Sequence, residues 1–200
     1  PRTIAMTVFG DLAVSTLREL PGGRRPIQTS VIPDHKPGWV KRGWERIGEE
    51  VLAGRQAYVV CPRIEGEGGV LEIHAYLSEQ VYPGLNVGML HGRMDTDLKD
   101  SVMQEFAQGE IDILVATTVI EVGIDVANAT VRLIREAERF GVSQIHQLRG
   151  RVGRGQHDSL CLLHTTFDED SPQGQRLAAI STTTDGFQLS ELDLQVRQEG

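Results

Sequence analysis

The feature that most constrains this chain is a series of short apolar runs separated by amphipathic stretches. The runs predict strands at residues 27–33, 56–62, 85–90, 111–116, 130–134 and 160–164. Between them, apolar residues recur at helical spacing, as they do at Val40, Trp44, Ile47 and Val51. Strands that alternate with helices in this way favour a mostly parallel sheet that is buried on both faces. We therefore predict an α/β fold with helices on both faces of the sheet.

The stretches between the strands predict helices at residues 39–55, 70–82 and 143–152. One more helix is predicted to begin at Asp95 or Thr96, either of which can cap it, and to stop at Gly109. We expect the buried side of that helix to consist of Leu98, Val102 and Phe106. After residue 165 the sequence is polar and helix-prone with a break at 182–186, which predicts the start of a helical hairpin.

The composition excludes several classes of protein. Hydrophobic residues make up 40% and charged residues 24%, which is typical of a globular chain rather than a disordered or collagen-like one. No apolar run approaches the roughly 18 residues of a membrane span, and no signal peptide opens the chain. Cys61 and Cys161 both lie inside apolar runs, which favours buried thiols and a reducing cytosol.

The charge is unevenly distributed, although the net charge of −8 does not by itself suggest nucleic-acid binding. Residues 139–154 contain four arginines and no acidic residue. Arg151 and Arg154 are three positions apart, so a helix would present them on one face, and Gly150 and Gly153 leave room for a close neighbour. Paired guanidinium groups suit a triphosphate. The alternative is a solvated helix face with ion pairs.

Ligands of open α/β sheets bind at the carboxyl ends of the strands. Polar residues follow the predicted strands at His91–Arg93, Thr117–Thr118, Gly123–Asp125 and Glu136–Arg139. These signals are weak, because Gly-x-Asp is common in turns and His91 could equally be an exposed turn residue. The six histidines show no metal-ligand spacing, and the acidic run at 168–170 is typical of a solvated turn, so we predict no metal site. None of the three lysines follows a glycine, so the chain has no phosphate-cradling Gly-Lys-Ser/Thr loop.

Three motifs resemble those of superfamily 2 helicases. Residues 147–154 (QLRGRVGR) resemble motif VI, residues 113–129 resemble motif V, and residues 87–94 resemble the motif IV region. Longer stretches at 1–21, 137–155 and 183–194 resemble the RecG family of bacterial branched-DNA translocases. Transcription-repair coupling factors share motif VI but are less similar in the opening. Two departures from the RecG pattern are Arg132, where the family usually has an apolar residue, and Arg197–Gly200 in place of Arg-Gly-Pro-Gly.

The resemblance implies a division of the chain into three parts. Residues 1–26, which include a Pro- and Gly-rich linker at 19–26, would be the end of a first RecA-like domain and the crossover. Residues 27–165 would form the second RecA-like domain. Residues 166–200 would begin the C-terminal helical hairpin that couples ATP hydrolysis to movement on duplex DNA.

The resemblance also implies roles for individual residues. Arg151 and Arg154 would be arginine fingers, which meet the charge that develops on the transferred phosphoryl group. ATP would be bound by Gly123, Asp125 and Gln147, and DNA by His91, Thr117 and Thr118 on the opposite rim. Arg149 and Arg197 would couple the two sites. ATP with Mg²⁺ would be held mainly by a first motor domain outside this chain.

The activity implied is that of an ATP-dependent DNA helicase or translocase that remodels branched DNA in the bacterial cytoplasm. Its partners would be branched or duplex DNA, the first RecA-like domain and the wedge domain of the same protein, with single-strand DNA-binding protein as a further candidate. The isolated chain is expected to have no ATPase activity. Alternatives are a duplex translocase like the transcription-repair coupling factors and a non-catalytic α/β module that binds nucleic acid.

Overall fold

The computed structural model describes residues 27–117, 126–150 and 158–182, and the sheet within these ranges has six strands. The strands are β1 Ile27–Pro33, β2 Gln56–Cys61, β3 Val87–Leu90, β4 Ile113–Thr117, β5 Ala129–Ile134 and β6 Ser159–Thr165. Their spatial order is β1-β6-β5-β2-β4-β3, and every neighbouring pair is parallel. All residues of β2, β4, β5 and β6 are buried, which accounts for their nearly continuous apolar sequences. The predicted parallel sheet is therefore confirmed.

In the described part of the chain, four α-helices lie between the strands in the chain order that the sequence predicts, and a fifth helix follows β6. They are α1 Pro37–Leu52, α2 Val70–Tyr76, α3 Thr96–Ala107, α4 Val142–Gly150 and α5 Pro172–Thr182. The chain continues beyond α2 as a π-helical turn at Leu77–Val81, and a short 3₁₀ helix at Ala137–Arg139 precedes α4. Among the described residues, no helix is both long and apolar enough to cross a membrane.

The helices cover both faces of the sheet, as predicted. On one face, α1 and α2 pack through Ile47 and Ile73 against the strands. On the other face, α4 and α5 share one apolar cluster through Ile145 and Leu177. A separate cluster on this second face forms beneath α3 around Phe106.

Helix α3 differs from the prediction at its first turn. Leu98 is 51% exposed, so the prediction that it is buried is wrong, whereas Phe106 is fully buried. A helix of 12 residues is about 18 Å long, while the four residues of β3 span only about 13 Å. The first turn of α3 therefore extends past the strand it covers. Asp95 occupies the N-cap position, but its side chain makes no capping hydrogen bond.

Helix α5 belongs to the core of the α/β unit. Its buried residues Leu177 and Ile180 pack in the same cluster as Ile145 and Leu148 of α4. The described part of the predicted hairpin therefore lies against the sheet. The rest of that hairpin, at 183–200, and the predicted linker and first-domain segment, at 1–26, lie outside the described residues.

Candidate functional site

Polar residues form a continuous row along the carboxyl edge of the sheet. Asp34 follows β1, His164 lies near the end of β6, Glu136 follows β5, and Arg63 follows β2. Because the strands are neighbours in the order β1-β6-β5-β2, these four side chains succeed one another in space. Each of the four is linked to the next by a hydrogen bond or ion pair, as the distances below show.

Glu136 is the most constrained residue of this row. Its carboxylate accepts hydrogen bonds from both terminal nitrogens of Arg63 at 2.8 and 2.9 Å, and from Nε of Arg139 at 2.7 Å. Its backbone has a φ of 49°, in the left-handed region that few residues other than glycine adopt. Burial raises the pKa of this carboxyl group, but the bonds from Arg63 and Arg139 lower it more, so the net pKa lies below its usual value. Glu136 is therefore an ionised carboxylate that joins β5 to β2.

His164 connects Glu136 to the outer strand of the sheet. Its Nδ1 accepts a hydrogen bond from the backbone N–H of Glu136 at 3.2 Å, so in the neutral ring Nε2 carries the proton. That nitrogen donates to Oδ1 of Asp34 at 2.9 Å. Burial, followed by the charge of Arg135, lowers the pKa of His164, while Asp34 opposes the shift. The histidine thus serves as a neutral link between three strands.

Two of the predicted DNA-binding residues lie farther along the same edge. Thr117 is the last residue of β4, and His91 directly follows β3, which pairs with β4. Both are 8% exposed, so the alternative of an exposed turn imidazole at His91 is wrong. Nδ1 of His91 accepts a hydrogen bond from the backbone N–H of Arg93 at 3.2 Å. Thr118, the third predicted residue, lies outside the described residues.

Helix α4 carries the start of the arginine motif away from this edge. The first half of α5 lies beside the start of α4, because Arg176 donates to the backbone oxygen of Glu138 at 2.7 Å. The last turns of the two helices also meet, since Arg149 donates to the backbone oxygen of Ile180 at 2.7 Å. Helix α5 follows the carboxyl end of β6, so both helices run from the carboxyl edge back towards the amino ends of the strands. The end of α4 at Gly150 therefore lies towards the amino ends of the strands, whereas His91 and Thr117 lie at the carboxyl ends.

Within α4, the motif residues have different surroundings. Gln147 is exposed, whereas Arg149 is 2% exposed and its guanidinium donates a hydrogen bond to a backbone oxygen of α5. Burial lowers the pKa of Arg149 from its usual value. Arg149 thus physically joins the motif helix to the helix that leads into the C-terminal segment, whereas Gln147 is accessible to a ligand.

The remaining predicted site residues are Gly123, Asp125, Arg151, Arg154 and Arg197, and all five lie outside the described residues. Among the residues that are described, no group of three or more His, Cys, Asp or Glu side chains is arranged to hold a metal ion.

Three residues of the polar row were missed by the sequence analysis, namely Asp34, Arg63 and His164. Asp34 and Arg63 directly follow the apolar runs at 27–33 and 56–62, so the carboxyl-end rule that singled out His91 applies to them equally. His164 carries no comparable signal, because it lies inside an apolar run and its partners are distant in sequence.

Comparison with known proteins places the chain among helicases. The model of the family described as the helicase conserved C-terminal domain matches residues 44–156. Over its whole length the chain is 53% identical to the ATP-dependent DNA helicase RecG of Mycobacterium leprae and covers 29% of that protein. It is 45% identical over its whole length to the ATP-dependent DNA helicase RecG of Bacillus subtilis and covers 30% of that protein. The chain therefore spans less than a third of these relatives.

The solved structures agree with the sequence comparisons. A structure of RecG bound to a three-way DNA junction matches with a TM-score of 0.73 and 42% identity, over 97% of this chain and 25% of that one. This likeness confirms the predicted RecA-like fold and the resemblance to RecG. Because the family model covers more than half of the sequence, the chain belongs to the family of the helicase conserved C-terminal domain.

Proposed function

We propose that the chain is the second motor domain of an ATP-dependent DNA helicase or translocase that remodels branched DNA, such as stalled forks and Holliday junctions. The observation that carries this proposal is the likeness, at 42% identity over 97% of the chain, to RecG bound to a three-way DNA junction. In this proposal residues 27–165 form the motor domain, residues 1–26 come from a first RecA-like domain, and residues 166–200 begin a coupling hairpin.

The proposal assigns the carboxyl edge of the sheet to DNA. His91, Thr117 and Thr118 contact phosphates there, together with backbone amides of the adjoining loops. The support is that Thr117 ends β4, His91 follows the paired strand β3, and both are mostly buried, so their positions are fixed by the core. Phosphate contacts carry no sequence information, which suits a motor that moves along any sequence.

The proposal assigns the end of α4 to ATP. Hydrolysis of bound ATP supplies the free energy for movement along DNA. The described residues fit this assignment in part, because Gln147 is exposed near the end of the helix and can offer its carboxamide to a ligand. Arg149 is committed to α5, so the cations that face the phosphates are Arg151 and Arg154. Gly123 and Asp125 approach the ribose.

A first motor domain supplies the rest of the nucleotide site. This chain has no Gly-Lys-Ser/Thr loop, so the P-loop and the Mg²⁺ ligands come from that domain. An arginine finger raises the rate of phosphoryl transfer by roughly 10³–10⁵, which accounts for two arginines in a glycine-rich stretch of the sequence. The coupling roles fall to Arg149, which already joins α4 to α5, and to Arg197.

The decisive experiment changes Arg154 to alanine in the full-length protein. Arg154→Ala should retain ATP binding but lose most of the DNA-stimulated ATP hydrolysis, because the developing charge loses its partner. Arg42→Ala is the matched control, since Arg42 is an exposed arginine of α1 whose ion pairs, within the described part of the chain, are with carboxylates of its own helix. Hydrolysis by Arg154→Ala that stays within about twofold of the wild-type rate would contradict the finger role.

A second experiment separates a motor domain from a free-standing binding module. The 200-residue chain alone should hydrolyse no ATP, and fluorescence anisotropy should detect only weak binding to forked DNA until the first motor domain is added. Tight binding by the chain alone, or turnover without a partner domain, would instead favour a complete module. Titration with single-strand DNA-binding protein and with the wedge domain tests the other proposed partners, which share the bacterial cytoplasm in this proposal.

A further inference from the structure

Arg132 occupies an unusual place for an arginine. It lies in the middle of β5, between β2 and β6, and its side chain is completely buried. Its register neighbours are Tyr58 on β2 and Cys161 on β6. Tyr58 belongs to the apolar cluster beneath α3, and Cys161 to the cluster shared by α4 and α5. A cation therefore separates two apolar clusters on one face of the sheet.

Two contacts fix the direction of this guanidinium group. Its central carbon lies 4.3 Å from the centre of the Tyr58 ring, in cation–π geometry. Its Nη1 donates a hydrogen bond of 2.5 Å to the backbone oxygen of Leu148. Leu148 lies in the last turn of α4 that the structure describes, so this hydrogen bond ties the guanidinium group to that turn of the helix. The planar group thus spans from the sheet to the end of α4.

A buried arginine is a costly way to fill a core. Taking a charge out of water is unfavourable, and a well-packed apolar side chain of similar volume is often at least as stabilising. The guanidinium group adds a defined geometry, because its planar donor group holds the backbone oxygen of Leu148 at one position above β5. Arg149, the next residue of the same turn, donates a hydrogen bond to the backbone oxygen of Ile180 in α5. The last turn of α4 is therefore anchored from the sheet and from α5.

We propose that Arg132 is a positioning residue: it fixes the turn of α4 at Leu148, and the rate of ATP hydrolysis depends on that turn. In the sequence, Arg151 and Arg154 follow Leu148 by three and six positions, so the anchored turn directly precedes them. The inference rests on the proposed function, since it assumes that the arginines act on the nucleotide. Misplacing a catalytic group by about 1 Å costs on the order of a hundredfold in rate.

The test replaces Arg132 by methionine in the full-length protein. Methionine fills much of the same space but cannot donate a hydrogen bond. The matched control is Val131→Ala, because Val131 is the preceding residue, is fully buried, and packs on the opposite face of the sheet. For Arg132→Met we expect kcat for DNA-stimulated ATP hydrolysis to fall by about tenfold to a hundredfold, while KM for ATP stays unchanged.

A second readout does not depend on ATP. Amide hydrogen exchange of residues 145–150 should become about tenfold faster in Arg132→Met, because the anchored carbonyl is released, and should be unchanged in Val131→Ala. Equal kcat in the two variants, or unchanged exchange in Arg132→Met, would overturn the proposal. If Arg132→Met does not fold, Arg132→Lys provides the test, since lysine keeps the charge but lacks the planar fork. Wild-type kcat and exchange in Arg132→Lys would also overturn it.

The two hypotheses fail differently. A wild-type full-length protein that shows no DNA-stimulated ATP hydrolysis contradicts the proposed function. The exchange experiment still determines whether Arg132 holds the end of α4. Normal hydrolysis in the wild type, with Arg132→Met no worse than Val131→Ala, contradicts only the role of Arg132.

Discussion

Replacing Glu136 by glutamine tests whether the polar row at the carboxyl edge stabilises the sheet. The substitution keeps the shape of the side chain and removes its charge. In the wild type, the two carboxylate oxygens lie 2.8 and 2.9 Å from Arg63, and one also lies 2.7 Å from Nε of Arg139. The side chain of Glu136 is only 14% exposed, so water screens these interactions weakly.

The expected loss of stability follows from these bonds. A hydrogen bond to a charged group contributes about 1.5–3 kcal/mol, against about 0.5–1.5 kcal/mol between neutral groups. Glutamine keeps one acceptor oxygen and turns an amide N–H₂ towards a guanidinium donor. We expect the free energy of unfolding to fall by about 2 kcal/mol. With a urea m-value of about 2 kcal/mol per molar, the unfolding midpoint should move down by about 1 M.

Glu49→Gln is the control, because it tests whether the burial of an ion pair or the distance between its atoms determines its contribution to stability. Glu49 lies closer to its partner than Glu136 does, at 2.6 Å from Arg42, but both side chains of that pair are 56% exposed. Exposed ion pairs contribute little because water solvates both charges. Glu49→Gln should therefore leave the urea midpoint unchanged. A midpoint shift as large as that of Glu136→Gln would refute the reasoning, because it would make distance rather than burial decisive.

The effect of Glu136 should also depend on pH in one direction. Burial raises the pKa of its carboxyl group, the bonds from Arg63 and Arg139 lower it more, and the net value is below normal. A carboxyl group whose pKa is lower in the folded state stabilises that state above its unfolded pKa and loses this contribution as the pH falls through the folded pKa. The gap between wild type and Glu136→Gln should be constant from neutral pH to about pH 5 and close below it. A gap that widens on acidification contradicts this prediction.

Three further predictions concern the core. Phe106→Ala should lower the free energy of unfolding by about 3–5 kcal/mol, because Phe106 is fully buried with a second ring 4.9 Å away. Leu98→Ala on the same helix should lower the free energy of unfolding by less than about 0.5 kcal/mol. Similar urea midpoints for the two variants would contradict the burial of Phe106 and the exposure of Leu98. Burial and the charge of Arg135 lower the pKa of His164, so the histidine takes up a proton more readily in the unfolded chain. The urea midpoint of the wild type should therefore fall as the pH drops below about 6.5, and that of His164→Asn should fall less steeply. Equal dependence of the two midpoints on pH would disprove this. Burial raises the pKa of Cys61 to about 12 and that of Cys161 to about 11, so a thiol reagent at about pH 8 should label neither until the chain unfolds. Rapid labelling of the folded chain would show that these thiols are accessible.

The sequence predicts the elements of this fold well for a physical reason. Strands that are buried on both faces require nearly continuous apolar residues, so β2 and β4 stand out from the amphipathic stretches around them. The same periodicity cannot say how far a helix extends beyond its strand. Leu98 has the spacing of a buried residue, but it lies on the turn of α3 that overhangs β3.

The arrangement of the site depended on strand order, which no local pattern encodes. Arg63 and Glu136 are 73 positions apart and meet only because β2 lies beside β5. The carboxyl-end rule points to ligand contacts at one edge of the sheet. It identified His91 and Thr117 there, but α4 returns towards the amino ends of the strands and carries the motif that starts at Gln147 with it. The residue types of the motif are enough to recognise it, but they do not show at which end of the strands it lies.

The pairing of β1 with β6 has a consequence for how the chain is made. All seven residues of β1 pair with residues of β6, from Ile27 with Ser159 to Pro33 with Thr165. Ribosomes add about 5–20 residues per second, so β1 waits roughly 6–25 s after its own synthesis before its partner strand exists. During that interval β2, β3 and β4 can already assemble, since they are neighbours both in space and along the chain. During synthesis, β1 is therefore without its β6 partner for several seconds, and the pairing that completes this edge of the sheet is among the last to form.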